Sequence, residues 1–450
     1  MSDAIFEKAK KVIAVLENNG FEAYMIGGYP RDRILGKASG DIDLTTNALP
    51  EEVERCFPQF PVLETGLRHG TVTVLYEDVP FEITTYRIDS SSADHRHPDA
   101  VRFSDSLRED CTRRDFTINA IAYHPVRGFV DFFGGREDLR NKIIRCIGRP
   151  SDRFEEDALR ILRALRFSST LDFEIDTETE KAIFEKKDLL RGVSRERIYA
   201  ELRKLLCGSG VERVLLRYAD VFSVLIPEIA PMKGFDQKNP HHCLDLLAHT
   251  ARATANIPPK PHLRFAALLH DIGKPDCFSI GPDGIGHFYG HSTKSAEKAE
   301  EIFRALKADH DTRDRAVLLI RHHDTPIELR EEIVKRRLRK LGEESFFDLI
   351  LLMRADNLAL APEFSFRQKE YDALEAMARE ILEREDCFSL GSLAVNGNDL
   401  IALGYRGKEI GNALESLLDA VLENRIENRK EALLLYLQKQ KLPAGPGMTP

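Results

Sequence analysis

Two acidic residues one position apart, Asp41 and Asp43 in Gly40-Asp41-Ile42-Asp43-Leu44, are the first group in this chain whose spacing suits chemistry. On a strand, side chains alternate, so both carboxylates face one side, about 6.6 Å apart along the chain. Like charges held this close repel unless a divalent cation lies between them. Mg2+ commonly takes one or two carboxylates together with substrate phosphates. Upstream, the apolar run Tyr24-Met25-Ile26 leads into Gly27-Gly28-Tyr29-Pro30-Arg31-Asp32. The glycines let backbone amides approach a phosphate, Pro30 suits a first helical turn, and Arg31 adds charge. Either feature alone would be an ordinary turn or a solvated acidic edge. Together, at this spacing, they point to a site that handles metal and phosphate. Glu82, within the strand-like run Phe81–Tyr86, is either a third carboxylate of that site or a glutamate facing solvent.

A second group follows. Asp157, Arg160, Arg163 and Arg166 recur every third residue among Ala158, Leu159, Ile161, Leu162, Ala164, Leu165 and Phe167. Read as one helix, a three-residue step turns about 300°, so the four form a slowly winding polar stripe on a largely buried helix. One reading is a salt-bridge ladder from Glu156 or Asp157 to Arg160. In the other, three arginines outnumber the nearby acids and leave charge for an anionic or nucleobase ligand. Cytosine and adenine each carry an exocyclic amine beside a ring-nitrogen acceptor. A carboxylate accepts from the amine while a guanidinium donates to the ring nitrogen. Guanine and uracil would leave both contacts mispaired, which can discriminate by about 10⁴.

The third group is rich in histidine: ten of the fourteen lie between His241 and His323. The apolar run Leu263–Leu269 ends in His270-Asp271, with His249 upstream and His291, His322, His323, Asp324 and Asp356 downstream. An adjacent His and Asp can share one metal, completed by a remote His and Asp. A single buried histidine is more often only hydrogen-bonded, but this clustering favours metal. His241 and His242 fit no ligand position and read as surface residues.

The elements that must position these groups follow from periodicity. At 450 residues, with 42% hydrophobic and 31% charged residues, the chain holds two to four domains. The first 145 residues or so mix strand and helix signals, with Val72–Tyr76 and Phe81–Tyr86 as strands joined by the turn Asp78-Val79-Pro80. From about residue 152 apolar residues recur at helical spacing, after punctuation at Gly134-Gly135 and Gly148-Arg149-Pro150. Further breaks fall at Pro227 to Pro240 and at Asn357–Phe366, before a helical tail whose last residues, Pro443 to Pro450, are expected to be disordered. The N-terminus reads as an amphipathic helix rather than a signal peptide, and no run approaches the roughly 20 apolar residues of a membrane span. Seven scattered cysteines, never spaced as a zinc ribbon or redox pair, argue for a reducing compartment and hence a cytoplasmic protein. A net charge of −9 excludes binding to nucleic acid by bulk charge, but not a local basic groove.

GGYPRDRILGKASGDIDLTTNALPEEV resembles the signature of class II tRNA nucleotidyltransferases, the CCA-adding enzymes and their poly(A) polymerase relatives. Four further stretches match in the family's order: Arg113-Arg114-Asp115-Phe116-Thr117-Ile118-Asn119-Ala120, DFFGGREDLRNKIIRCIG (131–148), RFEEDALRILRALRF (153–167) and SRERIYAEL (194–202). The match spans about residues 20–205; where Pro30 stands the family usually has Val or another residue. The resemblance implies an α+β fold, with a polymerase-beta-like nucleotidyltransferase head on a mixed sheet (1–148). An all-α neck for nucleotide recognition and RNA binding (149–230), an HD-type body (231–360) and a tRNA-binding tail (361–450) would follow. The implied reaction is template-independent addition of CCA to the 3′ end of tRNA from CTP and ATP, with release of pyrophosphate. Asp41, Asp43 and Glu82 would be catalytic, with Mg2+ on Asp41 and Asp43. Gly27, Gly28, Arg31, Arg114, Asp157, Arg160, Arg163 and Arg166 would hold the nucleotide.

The same resemblance aligns His249, His270, Asp271 and Asp356 with the four ligands of an HD phosphohydrolase, for a further divalent metal. Residues 88–112 resemble the family's flexible loop tied to the switch from C to A addition, which points to full CCA addition rather than CC-only. The tail, 397–440, is expected to reach the tRNA elbow, with Lys408, Arg425, Arg429 and Lys430 offered to phosphate. The alternatives are an A-adding enzyme, an HD phosphohydrolase with a nucleotide-sensing head, and a non-enzymatic RNA-binding protein.

Overall fold

Strands with one apolar face build the N-terminal unit. The computed structural model describes residues 2–38, 40–89, 101–361, 363, 366–384, 390–423 and 425–441. The strands are β1 (Ala23–Ile26), β2 (Asp43–Thr46), β3 (Val62–Gly66), β4 (Thr71–Tyr76), β5 (Val79–Thr85), β6 (Arg87–Asp89), β7 (Val101–Phe103), β8 (Ala122–His124) and β9 (Gly128–Val130). Seven of them form one sheet in the order β3-β4-β5-β2-β1-β8-β9. It is mixed: β2 and β5 run parallel, while β1 is antiparallel to β2 and β4 to β5. The β4–β5 turn is one place where the chain departs from its sequence reading. Glu77 and Asp78, at φ 47° and 65°, make the turn, so Val79 and Pro80 belong to β5. Two central residues of positive φ match the twist of the flanking strands.

Helices α1 (Ser2–Asn18), α2 (Gly28–Ile34), α3 (Pro50–Cys56), α4 (Leu107–Thr112) and α5 (Gly135–Asn141) flank the sheet. One core joins Val12 and Leu16 of α1 to Met25, Leu44, Val74 and Phe81. A second gathers Tyr24, Ile26, Tyr86, Cys111 and Ala122. Helices α6 (Pro150–Glu156), α7 (Leu159–Leu171), α8 (Thr177–Lys186), α9 (Arg195–Leu206), α10 (Val211–Arg217) and α11 (Ala219–Leu225) continue the unit, α7 lying against α9. The polar stripe is therefore not carried by one helix. α6 stops at Glu156, and Asp157 is extended (φ −148°, ψ 103°). The Asp157 carboxylate accepts the Leu159 N–H at 3.1 Å, a local bond that competes with helix and turns the chain.

The second unit comprises residues 231–303 and 309–450, the first comprising 1–230 with 304–308. The second is built from helices α12 (Leu246–Asn256), α13 (Pro261–Leu269), α14 (Lys274–Cys277), α15 (His291–Ala305), α16 (His310–His322), α17 (Glu331–Leu341), α18 (Glu343–Asn357) and α19 (Arg367–Glu383), followed by α20 (Gly397–Ala402), α21 (Lys408–Leu422) and α22 (Lys430–Lys441). α12, α13, α16 and α18 pack together. The last three helices share their own apolar cluster around Leu400, Leu417, Leu418, Leu433 and Leu437. No helix among the described residues is long and apolar enough to cross a membrane. The six described cysteines are all free thiols. The loop residues 90–100, Cys387 and the Pro/Gly-rich end (443–450) lie outside the described residues.

Gly135, the first residue of α5, has no room for a side chain: a Cβ there would stand 2.2 Å from the Thr117 carbonyl oxygen. Because that atom is backbone, relief requires moving α5 itself. Gly135→Ala is expected to destabilise the chain by about 1–3 kcal/mol, read as a lower urea midpoint in equilibrium unfolding.

Candidate functional site

The parallel register Leu44↔Ile83 sets Asp43 beside Glu82 on neighbouring strands. Both are exposed, while Leu44, Phe81 and Ile83 are buried beneath them. Asp41 precedes β2 and acts electrostatically on Asp43. The Asp43 carboxyl is raised above the ordinary range, first by burial of its inner side, then by the Glu82 charge, against the opposing Arg114 and with a further push from Asp41. Gly27, at φ 76°, brings the chain close: a Cβ there would lie 3.6 Å from Asp43 Oδ2 and 3.9 Å from an Arg114 nitrogen. The Glu82 and Asp41 charges beside Asp43 make a carboxylate set suited to a hard divalent cation.

Of these residues, Gly27, Asp43 and Arg114 open onto a cavity of about 500 Å³, whose lining includes neither Asp41 nor Glu82. Gly27, Gly28, Arg31, Asp43 and Arg114 line it, and so do Asp157, Arg160 and Arg163. The Gly27-Gly28 turn and the Asp157 and Arg160 side chains thus share one space, although more than a hundred residues separate them. Arg166 is not on the wall. Its Nε lies 2.5 Å from Glu201 and its guanidinium stacks 3.8 Å from the Phe167 ring centre.

Nor are the stripe arginines without acids, contrary to the sequence reading. Arg160 meets Glu156 at 2.7 Å, Arg163 meets Asp115 at 2.5 Å, and Arg166 meets Glu201. Asp115 and Glu201 are far away in sequence, so the stripe could not reveal them. Buried Asp110 likewise takes Arg113 at 2.7 Å and Arg114 at 3.2 Å. Burial pushes the Asp110 and Asp115 carboxyls up, but Arg114 and Arg113 on the one, and Arg163 on the other, bring both below the ordinary range. Asp157 is held by Arg197 of α9 at 2.8 Å. Arg31 donates to Asn119 at 2.9 Å and lies 5.4 Å from the Phe167 ring centre. Arg113, Asp115, Asn119, Phe167 and Arg197 thus belong to the site although sequence reasoning gave them no role. Each lies inside one of the matched stretches, which is the signal that could have found them.

The raised Asp43 carboxyl carries a sign. A carboxyl raised on folding adds stability below its unfolded pKa and loses it as pH rises through the folded value. Asp43→Asn should therefore raise the Tm of the metal-free protein at pH 7, with the gain vanishing as pH falls to about 4. Thermal melts in EDTA at both pH values check this.

In the second unit, the histidine groups converge. His249 Nε2 lies 2.9 Å from Asp356 Oδ1 and 3.5 Å from Asp271 Oδ2. His270 Nε2 lies 3.2 Å from Asp271 Oδ2 and 3.5 Å from Asp356. His249 Nε2, His270 Nε2 and Asp271 Oδ2 are buried and lack hydrogen-bond geometry with any partner. Lys274 Nζ sits 2.7 Å from Asp271 Oδ2. Burial would lower the His270 imidazole, but Asp271 and Asp356 overcome it and push the ring up to about 10. In their neutral form the His249 and His270 Nε2 atoms, with the carboxylates of Asp271 and Asp356, make a donor set that fits a divalent metal, which would take the place of the extra ring proton. A neighbouring group, Asp271, His291 and His323, also brings its ligand atoms within 4.8 Å of one another. His322 does not join either group. His242 is not a surface residue: its ring packs edge-on at 5.0 Å against His249, and burial pushes its imidazole down to about 3. A cavity of about 680 Å³ borders this centre, lined by His323, Asp324, Asp356, Arg367 and Tyr371 among others. In the tail, Arg425, Arg429 and Lys430 are paired with Glu423, Glu427 and Asp399 at 2.5–2.6 Å, so exposed charge there is largely answered.

Comparison with known proteins adds an independent line. Residues 23–145 match a family model described as the Poly A polymerase head domain. Residues 172–233 match the "Probable RNA and SrmB- binding site of polymerase A", and 288–437 match tRNA nucleotidyltransferase domain 2. The CCA-adding enzyme of Lactobacillus helveticus is 34% identical over 441 residues, covering 96% of this chain and 97% of that protein. That of Geobacillus kaustophilus is 34% identical over 445 residues, covering 97% of each. Among solved structures, the Bacillus stearothermophilus CCA-adding enzyme in complex with CTP superposes with a TM-score of 0.71 at 30% identity, covering 97% of each chain. The Thermotoga maritima CCA-adding enzyme complexed with tRNA has the same fold at TM-score 0.61 and 19% identity, covering 98% of this chain and 97% of that one. With the mixed-sheet head, the shared cavity and full-length relatives in agreement, this chain belongs to the CCA-adding enzyme family.

Proposed function

We propose that this chain adds CCA to the 3′ end of tRNA, taking CTP and then ATP without a nucleic-acid template and releasing pyrophosphate. The observation that carries the proposal is the single cavity lined by Gly27, Gly28, Arg31 and Asp43 together with Asp157 and Arg160. Residues suited to triphosphate and residues suited to a base edge face one nucleotide-sized space. Asp41, Asp43 and Glu82 would hold Mg2+, which supplies activation of the 3′-hydroxyl and charge neutralisation on the phosphates when bound. Arg31 and the backbone amides at Gly27-Gly28 hold the triphosphate and meet charge on the departing pyrophosphate. Arg114, tied to Asp110, keeps a fixed positive charge beside the same wall.

Base choice falls to Asp157 and Arg160. The Asp157 carboxylate accepts from the exocyclic amine of C or A once it exchanges its bond to Arg197 for the base. Arg160 donates to the ring nitrogen. Arg163, braced on Asp115, lines the same wall, and Arg166, held on Glu201, supports it from behind. Because the pair is built from side chains, no template is needed. Residues 1–148 would serve as head, 149–230 as neck, 231–360 as HD-type body and 361–450 as tRNA-binding tail, in a cytoplasmic enzyme. A second reading concerns the body: His249, His270, Asp271 and Asp356 would hold a divalent metal of their own, suited to phosphoester hydrolysis.

The test uses tRNA ending before its CCA, with Mg2+ and each nucleotide alone or combined. CTP alone should extend it by two residues and ATP should add one more. ATP addition only to tRNA already ending in CC would select an A-adding enzyme, and no incorporation would overturn the proposal. Asp41→Ala should reduce incorporation to background. Asp157→Ala should erode much of a discrimination against GTP and UTP of about 10⁴, measured as the ratio of kcat/KM values.

A further inference from the structure

We propose that the C-terminal halves of α16 and α17 form a phosphate-binding surface for the RNA backbone, with Arg321, Arg337 and Lys340 as its charged contacts. The inference takes its partner from the tRNA reading above and adds a contact surface which that reading does not contain.

Helix geometry sorts the cations of α17 into two stripes. Arg336 and Arg339 are three residues apart, as are Arg337 and Lys340, and the second pair is turned about 100° from the first. The first stripe is answered. Arg336 meets Glu423, and Arg339 meets Glu415 and, at 3.3 Å, Asp419. These acids recur every fourth residue along α21 and just past its end, so one helix face supplies all three. The second stripe has no such cover. Among the described residues Arg337 and Lys340 pair with no carboxylate, and neither does Arg321 in the last turn of α16.

α16 and α17 both pack on α18, and their open cations gather at His322. Burial first, and then the positive charges of Lys340, Arg337 and Arg321, hold the half-buried His322 imidazole below its ordinary value. No carboxylate is among the charges acting on that ring. The simpler account is a set of single cations placed against the negative ends of their helices. It covers Arg321 or Lys340 taken alone. It does not cover three like charges collected from two helices, in a chain with 74 acidic residues against 65 basic ones. Bringing them together costs repulsion, which a polyanion relieves. Surface arginine and lysine hold nucleic-acid phosphates, and such contacts set position without reading sequence. That suits an RNA recognised by the shape of its helices.

The experiment measures affinity against salt. Binding of tRNA lacking its CCA to the full chain, without nucleotide, is followed by fluorescence anisotropy between about 50 and about 200 mM KCl. Each phosphate contact contributes about 0.7–0.9 to the slope of log Kd against log salt, so the triple variant Arg321→Gln, Arg337→Gln, Lys340→Gln should flatten it by about 2. Its Kd should rise by about tenfold or more in the same range. The charge-retaining set Arg321→Lys, Arg337→Lys, Lys340→Arg should keep the parent slope. An unchanged slope in the glutamine variant overturns the proposal, and so does equal flattening in the charge-retaining one. Loss of binding to phosphatidylglycerol vesicles with tRNA binding intact would overturn it in favour of a lipid surface. Should the triple variant fail to fold, Lys340→Gln alone, at an exposed position, should flatten the slope by about 0.7–0.9. Because binding is read without turnover, a chain that held tRNA here yet added no nucleotide would sink the catalytic reading and leave this one standing.

Discussion

Charge that cannot be left alone inside a protein governs this structure. Carboxylates taken from water must find cations or stay protonated, and the cost of failing is several kcal/mol for each ion. The first unit answers this demand twice. Asp110, Asp115 and Glu201 take arginines from their own unit and become part of the framework. Asp43 and Glu82 stand on neighbouring strands with Asp41 just before β2, and Arg114 opposes the negative charge around Asp43. The first set has its charge answered inside the unit, and the second, in the proposed function, meets an incoming cation and phosphates.

That division explains why arginines with partners can still serve a ligand. A guanidinium offers five donors, and Asp115 or Glu201 engages only some of them. In the proposed function, pinning Arg163 on Asp115 removes most of its rotamer freedom before a nucleotide arrives, while Arg166, off the cavity wall, is held on Glu201 and Phe167. The ordering cost is met on folding rather than on binding. Asp157 is handled differently. It sits in a break between two helices and is held by one arginine from a third, a bond that a base replaces in the proposed function.

The helical unit meets the same constraint with other donors. There the buried acids Asp271 and Asp348 face histidines and single cations, Asp348 taking His262 at 2.8 Å and Arg315 at 2.7 Å. That second cluster is closed by its own partners and has no orphaned acceptor. Asp271 differs: its two oxygens face the Nε2 atoms of four histidines, two of which have no hydrogen-bond partner among the described residues.

What the sequence by itself determined is local. The alternation of Asp41 and Asp43, the glycine pair, the helical apolar spacing and the His-Asp doublet all depend on residues a few positions apart, and strand and helix periods translate such spacings into shared faces. The matched stretches also carried the family, and with it the mixed-sheet head. The tertiary structure decided what each charge meets. Asp115 lies 48 residues from Arg163, and Glu201 lies 35 from Arg166. The helix break at Asp157 escaped the three-residue pattern because an aspartate bonding to a nearby backbone N–H is equally at home inside a helix or ending one. His242 read as surface because polarity in a loop says nothing of the ring packed over it. Periodicity is a property of the chain's own geometry, whereas counter-ions and tautomers are set by neighbours that only folding brings near.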